Sequence, residues 1–215
     1  MNQILQNKIT ASSNKRKNKS KQKIFRLQFF SSIILFIIIV EIYLLNLQAR
    51  NKEENTTKQI ANNYNITRLY NNNSFESETY NQNGHFFTVI GMIEIPKISI
   101  YYPIISESND ELLKISPCRI SGPMPNEDGN LCIAGHNYDN YKFFSKLSSL
   151  KIDDEIVIHN MDGEIFNYKV FKIYEVPAND LSPLDNIKGI KKQVTLITCN
   201  NFNSFNRIVI KASVI

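Results

Sequence analysis

The 215-residue chain has no tryptophan and only three cysteines, Cys118, Cys132 and Cys199, with no CxxC pair among them. An odd count without such a pair excludes a disulfide framework and a structural zinc site. A single Cys118–Cys132 bridge stays open, since separation in sequence does not decide the geometry a disulfide demands. Acidic residues are missing from positions 1 to 26, which hold eight basic ones: Lys8, Lys15, Arg16, Lys17, Lys19, Lys21, Lys23 and Arg26. From Gln48 onward 17 basic residues face 19 acidic ones, so the formal charge of +5 sits on a tail and the remainder is close to neutral. A nucleic-acid-binding domain carries its basic patch on the folded part, interleaved with aromatics, and that class is set aside.

What is present falls into four stretches. Residues 27–47 form one apolar run whose helix would rise about 30 Å, the thickness of a bilayer's hydrocarbon core. Glu41 and Tyr43 stand towards its outer end, where interfacial residues are tolerated. A cleaved signal peptide would have a shorter apolar region ending in small residues, and Leu47-Gln48-Ala49 is a poor match. The reading is therefore a retained anchor, with the basic tail 1–26 cytoplasmic by the positive-inside rule and the rest extracellular. Residues 48–85 are polar and Asn-rich, too poor in apolar positions to order themselves fully, and read as a spacer, helical at most around 60–69. Three Asn-x-Ser/Thr sequons there (Asn55, Asn65, Asn72) are expected by chance in so Asn-rich a segment.

From 86 to 215 the pattern changes to short β-like runs with turn signals between them, the mark of a sandwich or barrel. Eight strands are expected, at 91–95, 98–105, 118–121, 131–134, 155–159, 164–176, 193–198 and 207–214. Asn160-Met161-Asp162-Gly163 predicts a hairpin. Short helices are expected at 110–115 and 140–150, where Phe143, Phe144, Leu147 and Leu150 repeat at helical spacing as core residues. The expected fold is mainly β: an eight-stranded barrel with about two short helices, behind one transmembrane helix.

Three residues draw chemical interest. Val194-Thr195-Leu196-Ile197-Thr198 is dense in β-branched residues and reads as a buried strand that stops at Cys199. A thiol at a strand end is held firmly yet reachable, as a nucleophile must be, but a free cysteine is as often a small buried apolar residue. Position alone leaves both readings open. His136 follows an apolar strand and a glycine in Ile133-Ala134-Gly135-His136-Asn137, a setting that His85 and His159 lack. Arg207 opens the last strand eight residues after Cys199; if the two strands pair antiparallel, both residues lie at one end of the barrel. A guanidinium there would favour thiolate and donate to a developing oxyanion.

Taken together, the Thr-Leu-Ile-Thr-Cys run, the upstream Gly-His-Asn turn and the Cys-x7-Arg spacing resemble the sortase family, as does Met92-Ile93-Glu94-Ile95-Pro96-Lys97-Ile98 for its first strands. The resemblance covers about residues 88–215. It implies an eight-stranded sortase barrel, a cysteine transpeptidase that cleaves an LPxTG-like C-terminal sorting signal through a thioester on Cys199. His136 would be the acid/base, Arg207 the oxyanion and substrate clamp, and Thr198 a substrate-positioning residue. The implied partners are sorting-signal-bearing surface proteins, an amine acceptor such as a peptidoglycan precursor, and the membrane of a Gram-positive cell. No cofactor is expected. Some class A members bind calcium, for which Glu127 and Asp128 are candidates, although such a site needs roughly six oxygen ligands. The short segment 177–192 argues against class B, and the lack of an Asp-Pro-aromatic lid against the pilus-building class C, which leaves a class A- or D-like enzyme. A papain-like protease would need its cysteine before its histidine. The non-enzymatic rival is a membrane-tethered barrel binding module with Cys199 structural.

Overall fold

The computed structural model describes residues 2–70, 79–82, 84–138, 142–200, 203 and 205–215. It divides into two compact units, Met1–Lys52 and Glu53–Ile215. The first unit is helical, the N-terminal part of α1 (Asn2–Tyr70). Within the described part of that helix, Phe25–Asn65 contains a stretch long and apolar enough to cross a membrane, with side chains such as Phe36, Ile39 and Leu45 exposed.

Among the described residues, the second unit is built on nine strands: β1 (Thr79–Gln82), β2 (His85–Ile95), β3 (Ile100–Ile105), β4 (Cys118–Ser121), β5 (Gly129–Ala134), β6 (Glu155–Asn160), β7 (Ile165–Pro177), β8 (Lys192–Cys199) and β9 (Asn206–Val214). Eight of them follow the order β2-β3-β4-β5-β8-β9-β7-β6, and a further β2–β6 pairing closes the sheet on itself. This is the expected eight-stranded barrel; β1 is a short hairpin partner of β2. β3–β4 and β5–β8 pair parallel and the other neighbours antiparallel. Closure buries alternate side chains inward, so that Ile93, Ile95, Ile104, Ile133, Phe144, Ile156, Leu196 and Ile210 form one core. α2 (Asp110–Ile115) is the first expected helix, capped by Asn109, whose side chain accepts from the N–H groups of Glu111 and Leu112. The hairpin at 160–163 joins β6 to β7, with the Asn160 side chain accepting from the N–H groups of Asp162 and Glu164.

The second expected helix, 140–150, is not one. Residues 139–141 lie outside the described residues. The rest holds an antiparallel bridge, Asn137↔Phe143, and a single 3₁₀ turn, Leu147–Ser149. Phe143 adopts φ +52°, the left-handed region, which no α-helix tolerates. The helical spacing of Phe143, Phe144, Leu147 and Leu150 reported burial: all are 5% exposed or less.

The stretch read as a spacer is also more ordered than its composition implies, though 71–78 lie outside the described residues. α1 continues to Tyr70, and Thr57, Ile60 and Tyr64 are buried. Ile60 joins Phe87, Val89, Ile105, Leu112 and Ile115 in a second apolar cluster. The polar neighbours are satisfied: Thr57 Oγ1 donates to the Ile115 carbonyl at 2.6 Å and Tyr64 Oη to the Asn160 carbonyl at 3.1 Å. The apolar anchor and the paired hydroxyls together seat this part of the helix, because a paired hydroxyl loses little on leaving water.

Candidate active site

The parallel pairing of β5 with β8 ends at Ala134↔Ile197. Two residues beyond each of those positions stand His136 and Cys199, which brings together residues far apart in sequence. On the other side of β8, Cys199 pairs directly with Arg207 in the antiparallel ladder to β9. The expected antiparallel arrangement of the two strands is thus what forms. Three adjacent strands deliver the histidine, the thiol and the guanidinium to one end of the barrel.

Local bonds stitch that end together. The Gly135 N–H donates to the Ile197 carbonyl at 3.1 Å. Thr198 Oγ1 donates to the Gly135 carbonyl at 2.7 Å, so the Thr198 hydroxyl, 3% exposed, is committed to the backbone. The Asn200 N–H donates to the Asn206 carbonyl at 3.1 Å and closes the β8–β9 loop above Cys199 and Arg207. Arg207 Nη1 donates to the Asn206 carbonyl at 3.1 Å. Glycine is required at 135: a Cβ there would lie 2.8 Å from Cδ2 and 2.9 Å from Cγ of Phe144. The Phe144 N–H in turn donates to the His136 carbonyl at 3.0 Å.

His136 is half-buried, its ring 4.8 Å from that of Tyr138, which leads through Phe143 to Tyr102. Burial lowers its pKa; Asp110 acts the other way and Lys114 adds to the lowering. The imidazole is therefore held towards its neutral form, able to accept a proton near neutral pH. The three thiols differ. Cys199 is partly exposed, whereas Cys118 and Cys132 are fully buried and free. Burial pushes Cys118 up to about 12 and Cys132 up to about 11, leaving both protonated and inert. The bridge left open by the sequence does not form: the Cys118 thiol donates to the Ser116 carbonyl at 3.3 Å and Cys132 to the Asn130 carbonyl at 3.5 Å.

The remaining residues of interest lie elsewhere. His159, on β6, meets Glu94 of β2 at 3.2 Å between the rings of Tyr64 and Tyr101. Glu127 accepts from the Met124 N–H at 3.0 Å and so caps its own turn; it and Asp128 are exposed. Among the described residues no three His, Cys, Asp or Glu side chains cluster as a metal site would require. Sequence reasoning assigned no role to Asn137, whose Nδ2 donates to the Cys199 carbonyl at 2.7 Å, nor to Lys142, which pairs with Glu54 of α1 at 2.6 Å. The only advance signal for Asn137 was its place beside His136.

The family model for the sortase domain matches residues 93–215, more than half of the chain. The chain belongs to the sortase family. It is 33% identical over 119 residues to sortase A of Staphylococcus aureus (strain NCTC 8325 / PS 47), covering 54% of this chain and 57% of that protein. To sortase A of Bacillus anthracis it is 31% identical over 112 residues, 52% of each chain. The matched region thus spans little more than half the length of these curated relatives. Among solved structures, the sortase D5 transpeptidase of Clostridium perfringens superposes with a TM-score of 0.56 at 27% identity, covering 77% of this chain and 98% of that one. Sortase A from Corynebacterium diphtheriae gives 0.53 at 28%, covering 59% and 60%. Sortases are cysteine transpeptidases, an activity that calls for a reachable thiol, a neighbouring proton carrier and an oxyanion donor.

Proposed function

We propose that this chain is a membrane-anchored sortase that cleaves the C-terminal sorting signal of secreted proteins, an LPxTG-like motif, and transfers the acyl group to an amine of a peptidoglycan precursor. The observation that carries the reading is the meeting of Cys199, Arg207 and the His136 loop at one barrel end. Cys199 gives its thiol proton to His136 as Sγ attacks the threonine carbonyl of the signal, and Arg207 neutralises the oxyanion that develops. Collapse to the thioester releases the C-terminal fragment as an amine, which takes its proton from His136. The acceptor amine then loses a proton to His136 as it attacks the thioester, and collapse to the new amide expels the Cys199 sulfur, which takes that proton back from His136 as the thiol. One imidazole serves in both directions because the second half-reaction reverses the first. Thr198 supports the site beside the thiol.

In this reading residues 1–26 form a cytoplasmic tail, 27–47 the membrane anchor and 86–215 the extracellular catalytic domain, with 48–85 between them. The apolar stretch of α1 and the basic residues before it support that placement. A class A- or D-like enzyme of a Gram-positive cell surface is supported by the relatives named above. It is also supported by the short β7–β8 connection, where the described structure has a single 3₁₀ turn, Ser182–Leu184. That connection is pinned to the sheet: Asn130 Nδ2 donates to the carbonyls of Pro183, Leu184 and Asp185 at 3.1–3.2 Å, and Lys211 Nζ to that of Asp185 at 3.0 Å.

The test is the full-length chain in detergent micelles, given a panel of sorting-motif peptides and an amine acceptor. Expected is acceptor-dependent transpeptidation with a thioester trapped on Cys199, abolished in Cys199→Ala. Turnover that survives Cys199→Ala sinks the mechanism.

A further inference from the structure

The parallel ladder between β5 and β8 is carried past its last backbone rung by side chains. The Gly135 N–H reaches the Ile197 carbonyl; continued, a parallel pair would run next from the N–H of 199 to the carbonyl of 135 and then from the N–H of 137 to the carbonyl of 199. The side-chain amide of Asn137 makes that bond instead, at 2.7 Å. Its backbone is thereby free to turn away and pair with Phe143. The direction of the amide is settled by its partner: reversed, its oxygen would press on the Cys199 carbonyl oxygen. Asn137 Oδ1 is meanwhile buried with no hydrogen-bond partner among the described residues. A residue serving stability alone gains little by carrying an unmatched acceptor into the interior, so the donor half is what the position uses.

We propose that Asn137 is a positioning residue for transpeptidation: its amide ties the Cys199 carbonyl to the loop that carries His136 and so sets the approach of thiol to imidazole. The proposal rests on the assignment of Cys199 and His136 as nucleophile and proton carrier. Asn137 itself touches neither the substrate nor the reacting atoms. It fixes the peptide plane that follows Cys199, and with it the direction of the Cα–Cβ bond. Thr198 ties the same two segments from the preceding residue, through its hydroxyl on the Gly135 carbonyl. Two neighbouring side chains thus replace backbone rungs where the strands part.

The test uses the full-length chain and two variants, Asn137→Ala and Asn137→Asp; the second keeps the shape and removes the donor. With a sorting peptide, kcat should fall about 10- to 100-fold in both while KM stays within about twofold, as misplacement of a reacting group predicts. A substrate-free measurement accompanies it. In the wild type, blocking Cys199 with a methanethiosulfonate should shift the imidazole NMR signals of His136, while Cys118 and Cys132, both 0% exposed, should not react. In Asn137→Ala that response should shrink to about half or less, while the spectrum stays as dispersed as in the wild type. Loss of the NMR response with no wild-type turnover on any peptide would uphold the positioning role and remove the proposed reaction. The role is overturned if both variants keep kcat within about threefold of wild type, if KM rises while kcat holds, or if His136 responds to the block undiminished.

Discussion

Gly135→Ala probes the packing beneath the candidate site with a single methyl group. Gly135 has no positive φ, so alanine meets no backbone penalty, and by restricting the unfolded chain it would by itself stabilise by about 0.4–1 kcal/mol. Against that stands steric conflict. The new Cβ would lie 2.8 Å, 2.9 Å and 3.3 Å from three atoms of the Phe144 ring. The ring cannot swing away cheaply: Phe144 is 0% exposed, its N–H bonds the His136 carbonyl, and its carbonyl accepts from Leu147. Overpacking of this kind costs about 1–3 kcal/mol, so the net expectation is a loss of about 1–2 kcal/mol. Urea unfolding in detergent micelles, followed by tyrosine fluorescence in a chain without tryptophan, reads it directly. Phe144→Leu supplies the control, since it removes ring atoms where the methyl would sit. The double variant should be at least about 1 kcal/mol more stable than the sum of the single effects predicts. Gly135→Ala as stable as wild type, or costs additive within about 0.5 kcal/mol, would refute the claim that the ring excludes a side chain at 135.

Ile60→Ala should cost about 2–4 kcal/mol on urea unfolding, because Ile60 is 2% exposed in the cluster with Phe87, Leu112 and Ile115; if 53–70 were a mere tether the change would stay near zero. With Cys118 and Cys132 raised to about 12 and about 11, a chromogenic disulfide reagent at pH 8 should titrate one thiol per native chain and three after denaturation. The unfolded thiols ionise first, so the contribution of both is complete below about pH 8.5 and declines by about 1.4 kcal/mol per pH unit per thiol as pH rises towards those values. A stability profile flat to pH 11 would contradict it. Thr198→Val removes the hydroxyl from the Gly135 carbonyl and should cost about 1–2 kcal/mol and lower kcat, whereas Thr198→Ser keeps both near wild type. A Val variant of unchanged stability and raised KM would place that hydroxyl on substrate instead.

The strands were legible because each carries a β-branched or alternating apolar run closed by turn residues, and all eight expected runs are strands of the barrel. The Cys199–Arg207 pairing was legible for a local reason: seven intervening residues leave room for little more than a tight antiparallel connection. The parallel β5–β8 pairing was not, since nothing local to 129–134 and 192–199 states that they meet. His136 therefore reached the site by resemblance rather than by geometry. The helix expected at 140–150 failed because apolar spacing reports which residues are buried, and the left-handed Phe143 is set by its bridge to Asn137. In 48–70 the signal was present but sparse: Thr57, Ile60 and Tyr64 stand at i, i+3 and i+7, one face of a helix, inside a stretch whose overall polarity argues for a spacer.

The parallel step between β5 and β8 is what makes a site at this end of the barrel available at all. In a wholly antiparallel barrel, neighbouring strands leave at opposite ends, and a residue just past one strand cannot meet a residue at the end of the next. Here β5 and β8 run the same way, so both C-terminal ends emerge side by side, while β9 enters at that same end. The β6–β7 hairpin occupies the crossover that such a parallel pair requires, and its β7 strand returns to cover the far side of β9. A slip of β8 by one residue would exchange its inward and outward faces, sending Leu196 out of the core and turning the Cys199 side chain to the opposite face of the sheet from the one it now occupies beside Arg207. The buried row of Val194 and Leu196 resists that slip with the free energy of the whole core. The stability of the barrel and the aim of Cys199 are therefore set by the same register, and the bonds from Thr198 and Asn137 need only fix the last residue, where that register ends.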